Sequence, residues 1–301
     1  MLHDPHANLL AIADKLFYIG NKEQVLQLLK DLLAHQELQA LVVINDKLLQ
    51  ATKTMLEGAA SFGTTGRALL LDVVLQLCKL PAMLRALTKS DFLDYIVGVR
   101  SRILQEKEQV AQIVLAILEL SSNLFDLMMP NRIQHFLQMM FVSTKPDHPA
   151  MPAVLEIMLR VSELEPRANL ITETPGVVPA LSALLTTESG ALDVAANLGR
   201  SKVARAQIRD QVLQGTAPSF FDGLMTSLYS SAQWQRTAAA RAICCWLTDT
   251  DAQPIFRFFA KRGVRDQMET VISAATFEDD RDEKTCSAGL RVLTRLERGA
   301  L

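Results

Sequence analysis

The chain has 301 residues, of which 49% are apolar and only 6% aromatic, and its formal net charge is −2. A core drawn from Leu, Val, Ala and Met, with almost no runs of alternating β-branched and aromatic residues, argues for helices packed on helices and against a sheet. The near-neutral charge excludes a general binder of nucleic acid or anionic membranes, and no apolar run is long enough to span a bilayer. The charge is unevenly spread: residues 1–198 carry 16 Lys and Arg against 21 Asp and Glu, and residues 199–301 carry 15 against 12.

In chain order, residues 8–19 read as an amphipathic helix with Leu9, Ile12, Ala13, Leu16 and Phe17 on one stripe, broken by Gly20-Asn21. Asn21 is a candidate cap for a helix over Glu23–Ala34, with Val25, Leu28, Leu29 and Leu32 turned inward. A third helix is predicted from Glu37 to Leu56, apolar all round at Ala40–Ile44. Gly58–Gly66 reads as a loop, with Thr65 capping a helix that starts at Arg67. Pro81 separates that helix from a short one, and Asp91 caps the stretch 92–104. Helices follow over 107–120, Asn123–Met129 and, after Pro130, the Met-rich Asn131–Met140. Ser143–Pro149 is a proline-bounded linker and a candidate bend. The predicted organisation is therefore 1–142, a linker at 143–149, and 150–301.

One stretch returns. RALLLDVVLQLCKL (67–80), KEQVAQIVLAILEL (107–120) and MPAVLEIMLRVSEL (151–164) align without gaps, placing Asp72, Gln112 and Glu156 in one column and Lys79, Glu119 and Glu163 in another. ALDVAANL (191–198), ARAICCWL (240–247) and GLRVLTRL (289–296) carry a weaker form. Their closing leucines are separated by 40, 44, 34, 49 and 49 residues. A helical pattern at this period is the sequence signature of armadillo and HEAT solenoids. From Pro175-Gly176 the order becomes specific: GVVPALSALL, then ALDVAANL closing in Asn-Leu, then the Arg-containing RAQIRDQV. It resembles an armadillo repeat, and the unit from Ala217-Pro218 through TAAARAICCWL to IFRFFAKRGV does so again. The resemblance implies an all-α, right-handed armadillo-like solenoid of about six or seven repeats, whose third helices line a concave groove. Nuclear-import receptors place a Trp four residues before an Asn on successive third helices. Here Asp193 stands four before Asn197, and Trp246 occupies the Asn column itself, so that specialisation is not expected. The last two units, with the acidic FEDDRDE before a Gly-Leu step, are similar to the C-terminal part of UCS-type myosin chaperones, and that resemblance falls on Glu278, Asp279, Asp280, Gly289 and Leu290. It implies, as an alternative, a co-chaperone that handles motor-domain folding.

Motifs for chemistry are sparse. Gly63-Thr64-Thr65-Gly66-Arg67 before a helix reads either as an anion cradle or as a turn with a Thr cap; it lacks P-loop spacing. His3, His6, His35, His135 and His148 form no ligand pair on a helix, and no GxSxG or Cys-His arrangement occurs. Cys78, Cys244, Cys245 and Cys286 form no CxxC and read as reduced core residues. The opening MLHDPHANLL is not a secretory leader, so a cytoplasmic chain is expected, the nucleus remaining open. No cofactor, metal or catalytic residue is expected; an enzyme or nucleotide-regulated helical protein is the least supported alternative.

The expected function is a non-enzymatic protein-binding scaffold or adaptor. Its groove would be lined by Asp72, Lys79, Gln112, Glu119, Glu156, Glu163, Asp193, Asn197, Trp246, Arg291 and Arg295. The expected partner is an extended or helical protein segment, basic where it meets the acidic columns, with no nucleic acid and no membrane insertion. Trp246 is read either as an exposed anchor or as packing between units. Met128, Met129, Met139 and Met140 are read as core or as an adaptable surface, and Lys261–Arg265 and 278–283 as solvated loops or docking points.

Overall fold

The computed structural model describes residues 7–8, 11–12, 14, 22–35, 46–58, 62–88, 96, 104–120, 130–247, 253–275 and 280–297. Among the described residues the regular structure is helical throughout. The chain separates into two compact units: residues 1–140 with 147–157, and residues 141–146 with 158–301.

In the first unit α1 (Lys22–Leu33), α2 (Asp46–Glu57), α3 (Thr64–Cys78), α4 (Pro81–Thr88) and α5 (Leu104–Leu120) build the core. α3 buries Leu70, Leu71, Val73, Val74, Leu77 and Cys78, nearly all round, because α1 packs on one side of it and α5 on the other. Of the helix read over 8–19, Asn8, Ala11, Ile12 and Asp14 are helical, and Ile12 is buried. α6 (Pro130–Leu137) continues into a π-helical turn at Gln138–Val142. Residues 143–150 are non-helical, as the prolines predict. His148 is buried there, its Nδ1 accepting the Ala150 N–H at 2.9 Å. α7 (Met151–Ser162) contributes residues to both units.

Several sequence expectations are corrected. α1 packs through Val25, Leu26, Leu29 and Leu33, so Leu28 is exposed rather than inward. The buried face is centred one residue further along than the 25/28/29/32 stripe, because it must meet α3. The helix expected at Arg67 begins at Thr64, with Gly63 as its extended N-cap and no side-chain cap, so Thr65 lies within the first turn. Gly66 sits in close packing there: a Cβ on it would lie 2.9 Å from Glu23 Oε1 and 2.9 Å from Phe62 Cδ1. The Gly-Thr-Thr-Gly stretch is thus a helix start docked against a carboxylate, not an open anion cradle. α5 begins three residues earlier than expected. The Asn21 cap, residues 40–44, Asp91 and all of 92–104 but Ile96 and Leu104, residues 123–129, and His3 and His6 lie outside the described residues.

The second unit holds α8 (Glu165–Glu173), α9 (Val177–Leu184), α10 (Ser189–Arg200), α11 (Lys202–Leu213), α12 (Phe220–Leu228), α13 (Gln233–Trp246), α14 (Gln253–Ala260), α15 (Val264–Ala274) and α16 (Asp280–Glu297). α8 packs on α11, α9 on α12, α12 on α15, and α10 and α16 on α13. These helices therefore meet partners three elements along the chain. The hydrogen bonds carry the same spacing: Gln207 to Thr172 spans 35 residues, Ser227 to the Leu185 carbonyl 42, and Gln267 to the Leu228 carbonyl 39. In the first unit Lys30 to Asp72 spans 42 and Arg67 to Glu106 spans 39. Both units are helical-repeat-like in this sense.

Two small residues set how closely the long helices of the second unit approach. A Cβ on Gly199 would lie 2.7 Å from the Trp246 ring, and one on Gly289 would lie 3.0 Å from Cys244 Cα. The apolar layer between them is aromatic where α12, α13 and α14 meet: Phe221 packs edge-on against Trp246 and Phe259, at 5.2 and 5.7 Å between centroids.

Candidate partner-binding surface

The polar columns read from the sequence divide into residues bonded within the protein and residues facing solvent. In the first unit Asp72 is of the former kind. It accepts from Lys30 Nζ on α1 at 2.5 Å and from Gln109 Nε2 on α5, tying α1, α3 and α5 together. Beside it, Arg67 Nε meets Glu106 Oε1 at 2.9 Å; Glu106 is fully buried and its second oxygen has no hydrogen-bond partner. Lys79, Gln112 and Glu119 are exposed, and Glu156 is half-buried.

In the second unit the columns converge on a continuous polar chain. Asn197 Nδ2 donates to Ser162 Oγ at 3.0 Å, and Arg200 Nη1 donates to Asn197 Oδ1 at 2.8 Å. Arg200 Nη2 reaches Asp282 Oδ1 at 2.6 Å, and Arg241 Nη1 reaches Asp282 Oδ2 at 3.0 Å. Arg241 Nη2 then closes on Asp193. Five side chains from α10, α13 and α16, with Ser162 of α7, form one network. Burial works against the Arg241 charge, but the Asp193 carboxylate, the Asp282 hydrogen bond and the Asp282 charge outweigh it and raise its pKa above the ordinary arginine value. The sequence reading identified Asp193 and Asn197 but missed Arg200, Arg241 and Asp282. Arg241 stood in a column otherwise filled by leucines, and Asp282 inside an acidic run that read as a loop.

Trp246 is fully buried and donates its indole N–H to the Ala195 carbonyl at 3.0 Å. It is packing between helices and presents no surface to a partner. The exposed tryptophan is Trp234, at the start of α13 and 49% accessible. Glu163, Arg291 and Arg295 are exposed. Glu163 lies 3.8 Å from Arg160, a solvent-screened pair. Of the acidic run, Glu278 and Asp279 lie outside the described residues and Asp282 is committed to the network. Gly289, carried by the chaperone resemblance, serves the approach of α16 to α13. In the 261–265 turn Arg262 stacks on Phe258 at 3.6 Å and Arg265 lies 3.6 Å from Glu269.

All four cysteines are buried free thiols. Burial pushes Cys78 up to about 12 and Cys245 up to about 11. Burial also pushes Cys244 well up, while its hydrogen bond to Cys286 pulls Cys286 below the ordinary cysteine value. Met140 is buried and Met139 half-buried; Met128 and Met129 lie outside the described residues. Among the described residues no three His, Cys, Asp or Glu come together as a metal set, and no helix is long and apolar enough to cross a membrane.

No family model matches the chain, and no curated protein matches it. Among similar solved structures is the crystal structure of an engineered protein from the Northeast Structural Genomics Consortium, at a TM-score of 0.61 and 14% identity over 81% of this chain and 96% of that one. At that identity the likeness concerns the fold.

Proposed function

We propose that the chain is a non-enzymatic, armadillo-like scaffold of about six or seven repeats that holds an extended or helical segment of a partner protein. The observation that carries this reading is the bonding between helices 42 and 48 residues apart within each unit, Lys30 to Asp72 and Arg241 to Asp193. Helices held in that register offer side chains at a regular rise, which an extended chain can follow. The inner part of each polar column stiffens the stack. The outer part, including Gln112, Glu119 and Glu163, remains available to a partner.

The test is affinity capture from cell extract with the intact chain beside a Glu119→Lys, Glu163→Lys variant that retains the native circular dichroism spectrum. A partner held by the intact chain and lost by the variant supports the acidic column as a binding surface. Identical partners on both would remove that column from the function.

A further inference from the structure

We propose that the outer face of α16 is a docking stripe for an acidic segment of a partner protein, an inference that rests on the scaffold reading above and gives it a second, oppositely charged surface. At 3.6 residues per turn, Arg281, Lys284, Arg291 and Arg295 fall within an arc of about 80° and span about 21 Å along the helix. All four are exposed. The opposite side of α16 is the packed one, where Cys286, Gly289 and Leu293 are buried. The stripe is therefore turned away from the core by the same packing that fixes the helix.

Three of these four cations are uncommitted. Several guanidinium groups of the second unit are engaged: Arg200 and Arg241 with Asp282, Arg205 with the Gly199 carbonyl, Arg236 with the Ser230 carbonyl, Arg262 with Phe258. Lys284, Arg291 and Arg295 make no ion pair or side-chain hydrogen bond with any described residue. Asp282 of the same helix lies on the packed face, where Arg200 and Arg241 hold it.

The chemistry favours a protein carboxylate ligand over a nucleic acid. Cations at i, i+3, i+10 and i+14 on a straight helix match Asp and Glu repeating along an extended or helical chain. Nucleic-acid binding calls for aromatic side chains among the cations; the described side chains of α16 include none, and Glu283 is exposed beside the stripe.

The experiment uses the full chain and a fluorescein-labelled poly-glutamate peptide, read by fluorescence anisotropy at low ionic strength. The variant is Lys284→Glu, Arg291→Glu, Arg295→Glu; its three sites are exposed, and circular dichroism checks its fold. Arg257→Glu, Lys261→Glu, on α14 and the following turn, is the control for net charge. The expected result is binding by the intact chain and the control that weakens as salt is added, and a loss of at least about tenfold in the α16 variant. Absent binding, equal loss in the control, or tighter binding of a single-stranded oligonucleotide of similar charge would each overturn the proposal. Should the α16 variant bind the poly-glutamate peptide as well as the intact chain does, while Glu119→Lys, Glu163→Lys still loses its partner, the scaffold reading stands and this surface alone falls.

Discussion

Replacing Trp246 by Phe removes the indole N–H donated to the Ala195 carbonyl and part of the ring area against Phe220 and Phe221. The hydrogen bond contributes about 1 kcal/mol net and the lost ring with its cavity about 1–2 kcal/mol, so Trp246→Phe is expected to destabilise by about 2–3 kcal/mol. Gly199→Ala attacks the same contact from the other side, because its methyl would lie 2.7 Å from Trp246 Cδ1 and 2.8 Å from Nε1. Forcing that overlap costs about 1–3 kcal/mol, offset by up to about 1 kcal/mol of helix propensity. In the Trp246→Phe background the pyrrole edge that the methyl strikes is gone, and Gly199→Ala becomes neutral or stabilising. A double-mutant cycle in urea, followed by far-UV circular dichroism, should give a coupling energy of about 1–2 kcal/mol. Fluorescence supplies a second readout. With Trp246 absent, emission comes from half-exposed Trp234 alone and shifts to the red. Additivity of the two substitutions within about 0.3 kcal/mol, or an unshifted emission maximum, would refute this account of how α10 meets α13.

Two further outcomes follow from the same structure. Asp282→Ala removes one acceptor from each of Arg200 and Arg241, leaving them Asn197 and Asp193, and Arg241 already has one buried N–H without a partner. With the carboxylate 14% exposed and the guanidiniums near 30%, the loss is expected to be about 2–3 kcal/mol in urea unfolding, below the range for fully buried pairs. The buried Cys78 thiol gives an alkaline signature: unfolded cysteine ionises near 9.0, whereas Cys78 in the folded chain holds its proton to about 12. Between those values the native state binds more protons, so this stability is complete below pH 9.0 and falls as pH rises, by up to about 1.4 kcal/mol per pH unit. Urea midpoints compared between about pH 8 and about pH 10.5 should fall less steeply in Cys78→Ala than in the parent chain.

Helix periodicity and the recurrence of one pattern were legible in the sequence, because a helix buries residues by their spacing along its own turn. The alignment of 67–80 with 107–120 found two of the helices that pack on each other, α3 and α5. Prolines and glycines marked most breaks for the same local reason. The close approach of Gly66 to Glu23 was not legible, because the two residues lie 43 positions apart in the chain.

The fate of each polar residue was decided by tertiary structure alone. Glu119 and Asp72 looked alike as column members, yet Glu119 faces solvent while Asp72 is shared between Lys30 and Gln109. Asp193 finds Arg241 48 residues away, and Arg200 finds Asp282 82 residues away. A carboxylate becomes strut or ligand according to which cation the neighbouring helices bring within reach, and pattern within one helix carries no record of that. The two tryptophans make the same point. Trp246 is sealed because Gly199 leaves room for its ring, and Trp234 is left in solvent at the start of the same helix. The sequence by itself determined a helical chain with a recurring unit. Packing of helices about 40 residues apart determined which of its charges are bonded between helices and which face solvent.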